Sequence, residues 1–331
     1  MTKRATMNDI ALAAGVSQAT VSLVLNGVTN ARISAETRNK VKDLAANLGY
    51  PTKAPLAPNV TLVGLLIDDV TGTPFASPFL EGARAEAASR GAVIATFCTG
   101  ADPATELAAL QILHATGAKG VLYTTLVTRS VKPPALLQSL PTILVNCHDT
   151  AHRYPSITPA DTDGAFAATE ALITAGHRRI AHIGGEDWGE AARDRATGYR
   201  RALTAHGLPH IMTGPAWTVA SGRDQTHHLM GLPDPPTAIF CFNDRVAIGC
   251  YEALHDRGLK IPNDISVIGF DNDDLVAHLQ PPMTTMILPH DEMARLAVAR
   301  LMEATGPLPP NRSHIPCEMF NRASVAPPKP I

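Results

Sequence analysis

A run near the amino terminus, Met7-Asn8-Asp9-Ile10-Ala11-Leu12-Ala13-Ala14-Gly15-Val16-Ser17-Gln18-Ala19-Thr20-Val21-Ser22, constrains this chain more than any other stretch. Met7, Ile10, Ala11 and Ala14 fall at i, i+3, i+4 and i+7, which is one face of a helix. Gly15 reads as its stop. Ser17 is placed to cap a second helix whose inner face is Val21, Val24 and Leu25. A third helix follows, with Ser34 as its cap, Val41, Leu44, Ala45 and Leu48 at the same spacing, and Gly49 at its end. Three small helices around one apolar knot, the second turning short polar side chains outward, is how a helix-turn-helix reads base edges in the major groove.

This head occupies residues 1–50 of 331, which, with the linker that follows it set aside, leaves about 270 residues for one or two further domains. A hydrophobic content of 45% supports sizeable cores. The net charge of −2 does not mark the whole chain as a nucleic-acid binder, but its distribution is uneven. The head carries Lys3, Arg4, Arg32, Arg38, Lys40 and Lys42 against Asp9, Glu36 and Asp43, while the remainder is acidic. A basic head on an acidic body fits a tethered DNA-binding module, although the imbalance is too small to decide the matter alone. No apolar run reaches the roughly 18 residues needed to span a membrane. Met1-Thr2-Lys3-Arg4 leads into an amphipathic segment, not a continuous apolar one, which argues against a signal peptide and for the cytoplasm. Cys98, Cys147, Cys241, Cys250 and Cys317 form no Cys-x-x-Cys pair, in keeping with a reducing compartment and without a zinc site.

Pro51, Pro55 and Pro58 break any apolar period across residues 51–59, which read as a linker. Beyond it, short apolar runs at Val60–Ile67, Ala92–Phe97, Gly120–Tyr123, Thr142–Asn146, Arg179–Ile183, Ala238–Phe242 and Ile265–Phe270 alternate with helical stretches near 79–90, 104–117, 163–176, 190–207, 244–258 and 289–303. Such alternation predicts parallel sheets covered on both faces, here as two doubly wound lobes dividing near residue 160. Ligands in such sheets sit outside the carboxyl ends of the strands. Those ends carry Asp68-Asp69, Gly184-Gly185, Asn243-Asp244 and Asp271-Asn272, groups suited to holding hydroxyls. Each is equally readable as an ordinary turn or cap residue.

Taken together, these residues resemble the lactose-repressor (LacI/GalR) family of bacterial transcription regulators. The head resembles the family through Ala11, Ala14, Gly15, Val16, Ser17, Thr20, Val21, Ser22, Val24, Leu25 and Asn26, then Arg32-Ile33-Ser34, Thr37-Arg38 and Leu48-Gly49-Tyr50. The body adds Gly176-His177-Arg178-Arg179-Ile180-Ala181, Gly198-Tyr199-Arg200-Arg201-Ala202-Leu203, Ala238-Ile239-Phe240 with Asn243-Asp244, and Val267-Ile268-Gly269-Phe270-Asp271. The resemblance implies an α-helical helix-turn-helix DNA-binding head (1–50), a hinge (51–59) and an α/β two-lobed periplasmic-binding-protein-like (type I) effector domain (60–331). Lobe one would comprise about 60–160 and 288–318, and lobe two about 161–287 and 319–331. It also implies a homodimer on an inverted-repeat operator, with a small-molecule effector between the lobes.

On that resemblance the second helix enters the major groove. Gln18 and Ala19 are placed for base contacts, with Leu23 one turn later; Gln pairs with adenine, and Ala and Leu touch a thymine methyl. Many relatives carry Arg where Leu23 stands, so Leu23 implies a different base preference, or edge packing in the head. Ser17, Thr20, Ser22 and Asn26 are assigned to the phosphate backbone. The hinge departs from the family pattern. It looks several residues shorter, and Pro55 and Pro58 each oppose a helix. Leu56 is then either a minor-groove wedge or part of an extended linker.

In the body, the resemblance implies that Arg195, Asn243 and Asp271 contact an effector, that Trp217 lays an aromatic ring against it, and that Asp68 and Phe79 lie at the first crevice loop. Arg with Asp holds vicinal hydroxyls by charge-assisted bonds, so the expected effector is a sugar or sugar derivative, with a purine or other metabolite as the alternative. The competing readings are Arg195 pairing with Asp194 or Asp187, Trp217 as core, and Asp163 as a helix cap. Dimer contacts are expected at helix 79–90 and near Met283–Ile287, and Ala326–Ile331 reads as a short disordered tail. No Gly-x-Gly-x-x-Gly, Walker loop or Gly-x-Ser-x-Gly elbow is present, and His227-His228 lies in no metal-ligand spacing. The expectation is therefore no enzyme activity, no cofactor, no metal and no membrane partner.

Overall fold

The computed structural model describes residues 5–25, 33–50, 60–71 and 75–329. Its contacts divide into two units, Met1–Val60 and Thr61–Ile331. Asn26, Leu56 and the linker 51–59 lie outside the described residues.

In the head, α1 (Met7–Ala14) starts from a reciprocal cap in which Thr6 Oγ1 accepts from the Asp9 N–H and the Asp9 carboxylate accepts from the Thr6 N–H. Gly15 has φ +72°, a left-handed conformation that glycine adopts without steric cost, and it turns the chain into Val16-Ser17. Ser17 Oγ then accepts from the Thr20 N–H at 3.1 Å and opens α2 (Gln18–Leu25). The second helix leaves the first at 107°, within the range of helix-turn-helix units. Ser34 caps α3 (Ala35–Asn47) through the Thr37 N–H. Ile10, Ala11, Ala14, Val21, Val24, Val41 and Ala45 close the core. Leu48 departs from expectation: it is 42% exposed, because the helix ends at Asn47 and the chain turns away before the apolar stripe is continued.

The body begins with β1 (Thr61–Ile67), α4 (Ala76–Ser89), β2 (Ala92–Cys98), α5 (Pro103–Ala115), β3 (Gly120–Val131), β4 (Thr142–Asp149) and β5 (Ser156–Pro159). It continues with α6 (Asp161–Thr174), β6 (Ile180–Ile183), α7 (Glu190–Ala205), β7 (Ile211–Thr213), α8 (Val219–Leu229), β8 (Ala238–Cys241), α9 (Asp244–Asp256), β9 (Ser266–Asp271) and β10 (Thr284–Ile287). The last elements are α10 (His290–Glu303), β11 (Arg312–Ile315) and β12 (Met319–Phe320). Among the described residues, two six-stranded sheets form, ordered β11-β5-β4-β3-β1-β2 and β12-β10-β9-β8-β6-β7. Both are parallel except for the antiparallel pairing of β12 with β10.

The chain crosses between the sheets three times: from β5 into α6, from β10 into α10, and from β11 into β12. Helix α10 delivers Met293, Ala294, Ala297, Val298 and Leu301 to the core of the first sheet, beside Val63, Leu65 and Phe79. The second sheet is covered on one face by α6 and α7 and on the other by α8 and α9. Gly198 lets α7 lie against α6: a Cβ there would stand 2.1 Å from the Thr162 carbonyl oxygen and 2.8 Å from the Phe166 nitrogen.

Two surface expectations are corrected. Met283, Thr284, Thr285 and Met286 are buried within the second sheet, so this segment presents no free contact face. The tail is docked as far as the description runs: the Ala326 N–H donates to Ser266 Oγ, the Ala326 carbonyl accepts from His177, and Lys329 pairs with Asp264. His177, itself buried, holds the tail against the start of β9, a contact that no local pattern in the tail reveals.

Gly198→Ala should destabilise the protein by about 2 kcal/mol, because the new methyl meets backbone that cannot move aside. Thermal unfolding of purified protein followed by circular dichroism would show the transition several degrees lower; an unchanged transition would mean that α6 and α7 separate freely.

Candidate functional site

On the head, α2 packs Val21 and Val24 inward and leaves Gln18, Ala19 and Leu23 exposed. Leu23 is 38% exposed, so it is partly covered by the head and partly open to a partner. Ser17 is exposed and its hydroxyl is tied to that of Thr20 at 2.9 Å; Thr20 and Ser22 are half-buried. The outward face of the helix is thus short, mostly uncharged and uninterrupted.

In the body, the carboxyl ends of β8 and β9 meet the start of α7 around a cavity of about 60 Å³. Arg195, Trp217, Asn243 and Asp271 all line it, brought together from α7, the segment before α8, the cap of α9 and the end of β9. The same cavity takes Phe75, Asn146, Phe242 and His290, which sequence reasoning did not single out. Asn146 closes an expected strand, so the strand-end rule that flagged Asp271 applies to it as well.

Arg195 organises the site. It is 3% exposed, and its Nε donates to Asp161 Oδ1 at 2.8 Å. Its Nη1 donates to the Phe242 carbonyl at 2.7 Å and to Asp271 Oδ1 at 3.3 Å. The guanidinium also lies over the Phe270 ring, 3.7 Å from its centroid. Burial opposes its charge, but the carboxylates of Asp161 and Asp271 offset this and hold its pKa above the ordinary range. The partners are therefore neither Asp194 nor Asp187. Asp163 is not a cap; it sits exposed in the first turn of α6 beside Arg201, and the buried acid is Asp161, two residues earlier.

Two polar liners have left-handed backbone: Asn146, at the register shift inside β4, at φ +58°, and Asp271, at the end of β9, at φ +122°. Each such conformation costs on the order of 1–3 kcal/mol and persists where the surroundings enforce it. Asn146 is enforced by bonds from its amide to the Thr125 and Leu126 carbonyls and by acceptance from the Thr128 hydroxyl. The Asn243 carbonyl oxygen caps α9 at the Val246 N–H, leaving its amide nitrogen only a 3.4 Å contact to the Trp217 carbonyl. Trp217 stacks in tilted fashion between Trp188 and Phe242.

Asp68 and Phe79 do not line the cavity. Asp68 accepts from the Leu126 N–H at 2.8 Å and pairs with Arg129 at 2.8 Å, so it braces the loop within β3. Phe79 is fully buried and stacks at 4.0 Å on His290, and it is His290 that faces the cavity. The helix begins at Ala76, earlier than its apolar pattern predicts, and this turns Phe79 inward and places Phe75 at the crevice. Burial drives the His290 pKa down to about 3, so its ring is neutral. Asp244 is also withdrawn, accepting from the Asp273 N–H and the Thr285 hydroxyl; burial, then Asp271, push its pKa well above the usual range. No cluster of three or more His, Cys, Asp or Glu among the described residues is arranged to hold a metal.

Burial, only partly countered by Arg195, pushes the Asp271 pKa up to about 7. In the unfolded chain the same carboxyl releases its proton near pH 4. Its contribution to stability is therefore complete below about pH 4 and is lost as pH rises through about 7. Urea unfolding at stepped pH should show this decline in the parent protein and a flatter profile in Asp271→Asn; parallel profiles would contradict the assignment.

Comparison with known proteins agrees with this geometry. The family model described as bacterial regulatory proteins, lacI family, matches residues 6–53, and that of a periplasmic binding protein-like domain matches residues 169–325. The ribose operon repressor of Haemophilus influenzae is 34% identical over 312 residues, covering 90% of this chain and 91% of that protein. Among solved structures, a LacI-family regulator from Rhizobium etli aligns at TM-score 0.75 and 29% identity over 80% of this chain and 99% of its own. The regulator CelR in complex with cellobiose aligns at TM-score 0.63 and 28% identity over 97% of this chain and all of its own. A helix-turn-helix head, a two-sheet α/β body and a repressor relative of this identity over nine-tenths of both lengths place the chain in the lacI family of bacterial regulatory proteins, as a DNA-binding transcriptional repressor and not an enzyme.

Proposed function

We propose that the protein acts as a cytoplasmic homodimer on inverted-repeat operator DNA, and that a carbohydrate or carbohydrate derivative bound in the body's crevice sets its operator affinity. The observation that carries the effector reading is the buried Arg195 array with Asp271, facing Trp217 across one cavity. An acid and a guanidinium side by side offer a vicinal diol one acceptor and one donor, and an indole face covers the apolar side of a sugar ring. The ribose and cellobiose named for two relatives lie in this class. A purine is the second reading, favoured by the aromatic share of the lining, Phe75, Phe242 and Trp217. No single helix among the described residues is long and apolar enough to cross a membrane. Gln18, Ala19 and Leu23 are assigned to base edges and Ser17, Thr20 and Ser22 to phosphates; two heads are needed to read two half-sites one DNA turn apart.

The chain has two tryptophans, and Trp217 lines the cavity with Trp188 packed on it at 5.4 Å. A panel of pentoses, hexoses and disaccharides should include one that raises the melting temperature and changes intrinsic fluorescence, with the fluorescence response lost in Trp217→Phe. Stabilisation by purines with none by any sugar would replace the first reading with the second.

Selection from random duplex DNA at fixed salt should enrich an inverted repeat. Leu23→Arg should then add a preference for guanine at one position of each half-site, worth about 1–3 kcal/mol of discrimination. An unchanged half-site would remove Leu23 from the base-reading set.

A further inference from the structure

Glu190 is the first residue of α7 and stands between Gly189 and Ala191, both of which line the cavity. Its carboxylate does not cap its own helix. It reaches instead to elements of the other sheet. His148 at the end of β4 donates from Nε2 to Glu190 Oε2 at 2.6 Å, and Arg312 of β11 donates from Nη2 to Oε1 at 2.7 Å. Arg312 is itself held on the first sheet, its Nε donating to the Thr158 hydroxyl at 3.3 Å. The side chains are 15–28% exposed, well below an open surface pair. His148 Nδ1 is buried with no hydrogen-bond partner among the described residues, so the ring's polar commitment is to Glu190. Burial alone would raise the Glu190 pKa, but the bonds from Arg312 and His148 hold it below the usual carboxylate value.

We propose that Glu190 is an interlobe latch: bridged by His148 and Arg312, it holds the second sheet's α7 against the first sheet and sets how often the crevice opens. A cavity of about 60 Å³ admits only a handful of water-sized positions, so a sugar-sized molecule enters by parting the lobes. The pair must break each time this happens. Its effect on sensing rests on the effector reading above; the latch itself does not.

The test uses full-length protein carrying Trp188→Phe, which leaves Trp217 as the only indole, and measures acrylamide quenching without any ligand. Glu190→Ala and Arg312→Ala should each increase the open population about five-fold and raise Trp217 quenching accordingly. The double variant should do no more than either single one, since both remove the same bridge. Glu190→Gln, which keeps the size and one acceptor, should fall between. Circular dichroism spectra matching the parent would show that the variants are folded. Unchanged quenching in folded variants, or effects that simply add, would overturn the latch. If quenching responds as expected but no sugar binds, the effector reading fails and the latch stands. If a sugar does bind, its dissociation from Glu190→Ala should be faster by a similar factor.

Discussion

The crevice depends on one buried cation. Arg195 joins four pieces of backbone that are far apart in sequence: the start of α6 through Asp161, its own helix, the end of β8 through the Phe242 carbonyl, and the end of β9 through Asp271. A guanidinium is suited to this because its planar fork presents several donors in fixed directions while its face packs on an aromatic ring. Removing it would leave two carboxyls facing each other in a dry interior, and breaking a buried pair in this way is far more costly than never having built it. The same arrangement keeps Asp271 near its point of ionisation and confines it to a strained backbone conformation. Asp271, which can both take and give a hydrogen bond in the crevice, is therefore itself fixed by the surrounding structure.

Much of this architecture was readable in the chain, and the rest was hidden for identifiable reasons. Three helices of the head followed from spacing and caps, because an isolated three-helix knot has little beyond its own periodicity to stabilise it. Strands β1 to β4, β6, β8 and β9 followed from apolar runs between turn residues. The strands β5, β7, β10, β11 and β12 did not, since they are short and, unlike the equally short β6 and β8, lie in no sustained apolar run; they exist because a neighbouring strand offers its edge. Helix α8 was missed because it is largely polar and buries chiefly Gly222, Thr226 and Leu229. In the crevice, strand-end position and family likeness together pointed to Arg195, Asn243 and Asp271. Asp68 and Phe79 stand behind the cavity lining because the hydrogen bonds and helix start of their segment are set by tertiary contacts with β3 and His290. Asp161 was overlooked in favour of Asp163 because burial, unlike residue type, is not written locally.

An opening and closing crevice works as a lever only if it has two discrete arrangements, and the fold supplies the means. Three short crossovers tie the sheets together, and polar contacts such as those of Glu190 add a tie made by side chains alone. A ligand that favours one arrangement shifts the population by no more than its difference in affinity for the two. Small energies at the crevice rim therefore count as fully as the contacts made to the ligand.

The three crossovers also impose an order of assembly. The first sheet is begun at residue 61 but lacks its edge strand β11 and one of its covering helices, α10, until residues 290–315 are made. On a ribosome, the second sheet would have nearly all its strands while the first still exposes the apolar face that α10 will cover and the edge that β11 will pair. Domains made in sequence usually protect the early portion first. Here β3, β4 and β5, against which α10 packs, wait longest for that cover, so the interval before residue 315 emerges is when the nascent protein is most open to aggregation.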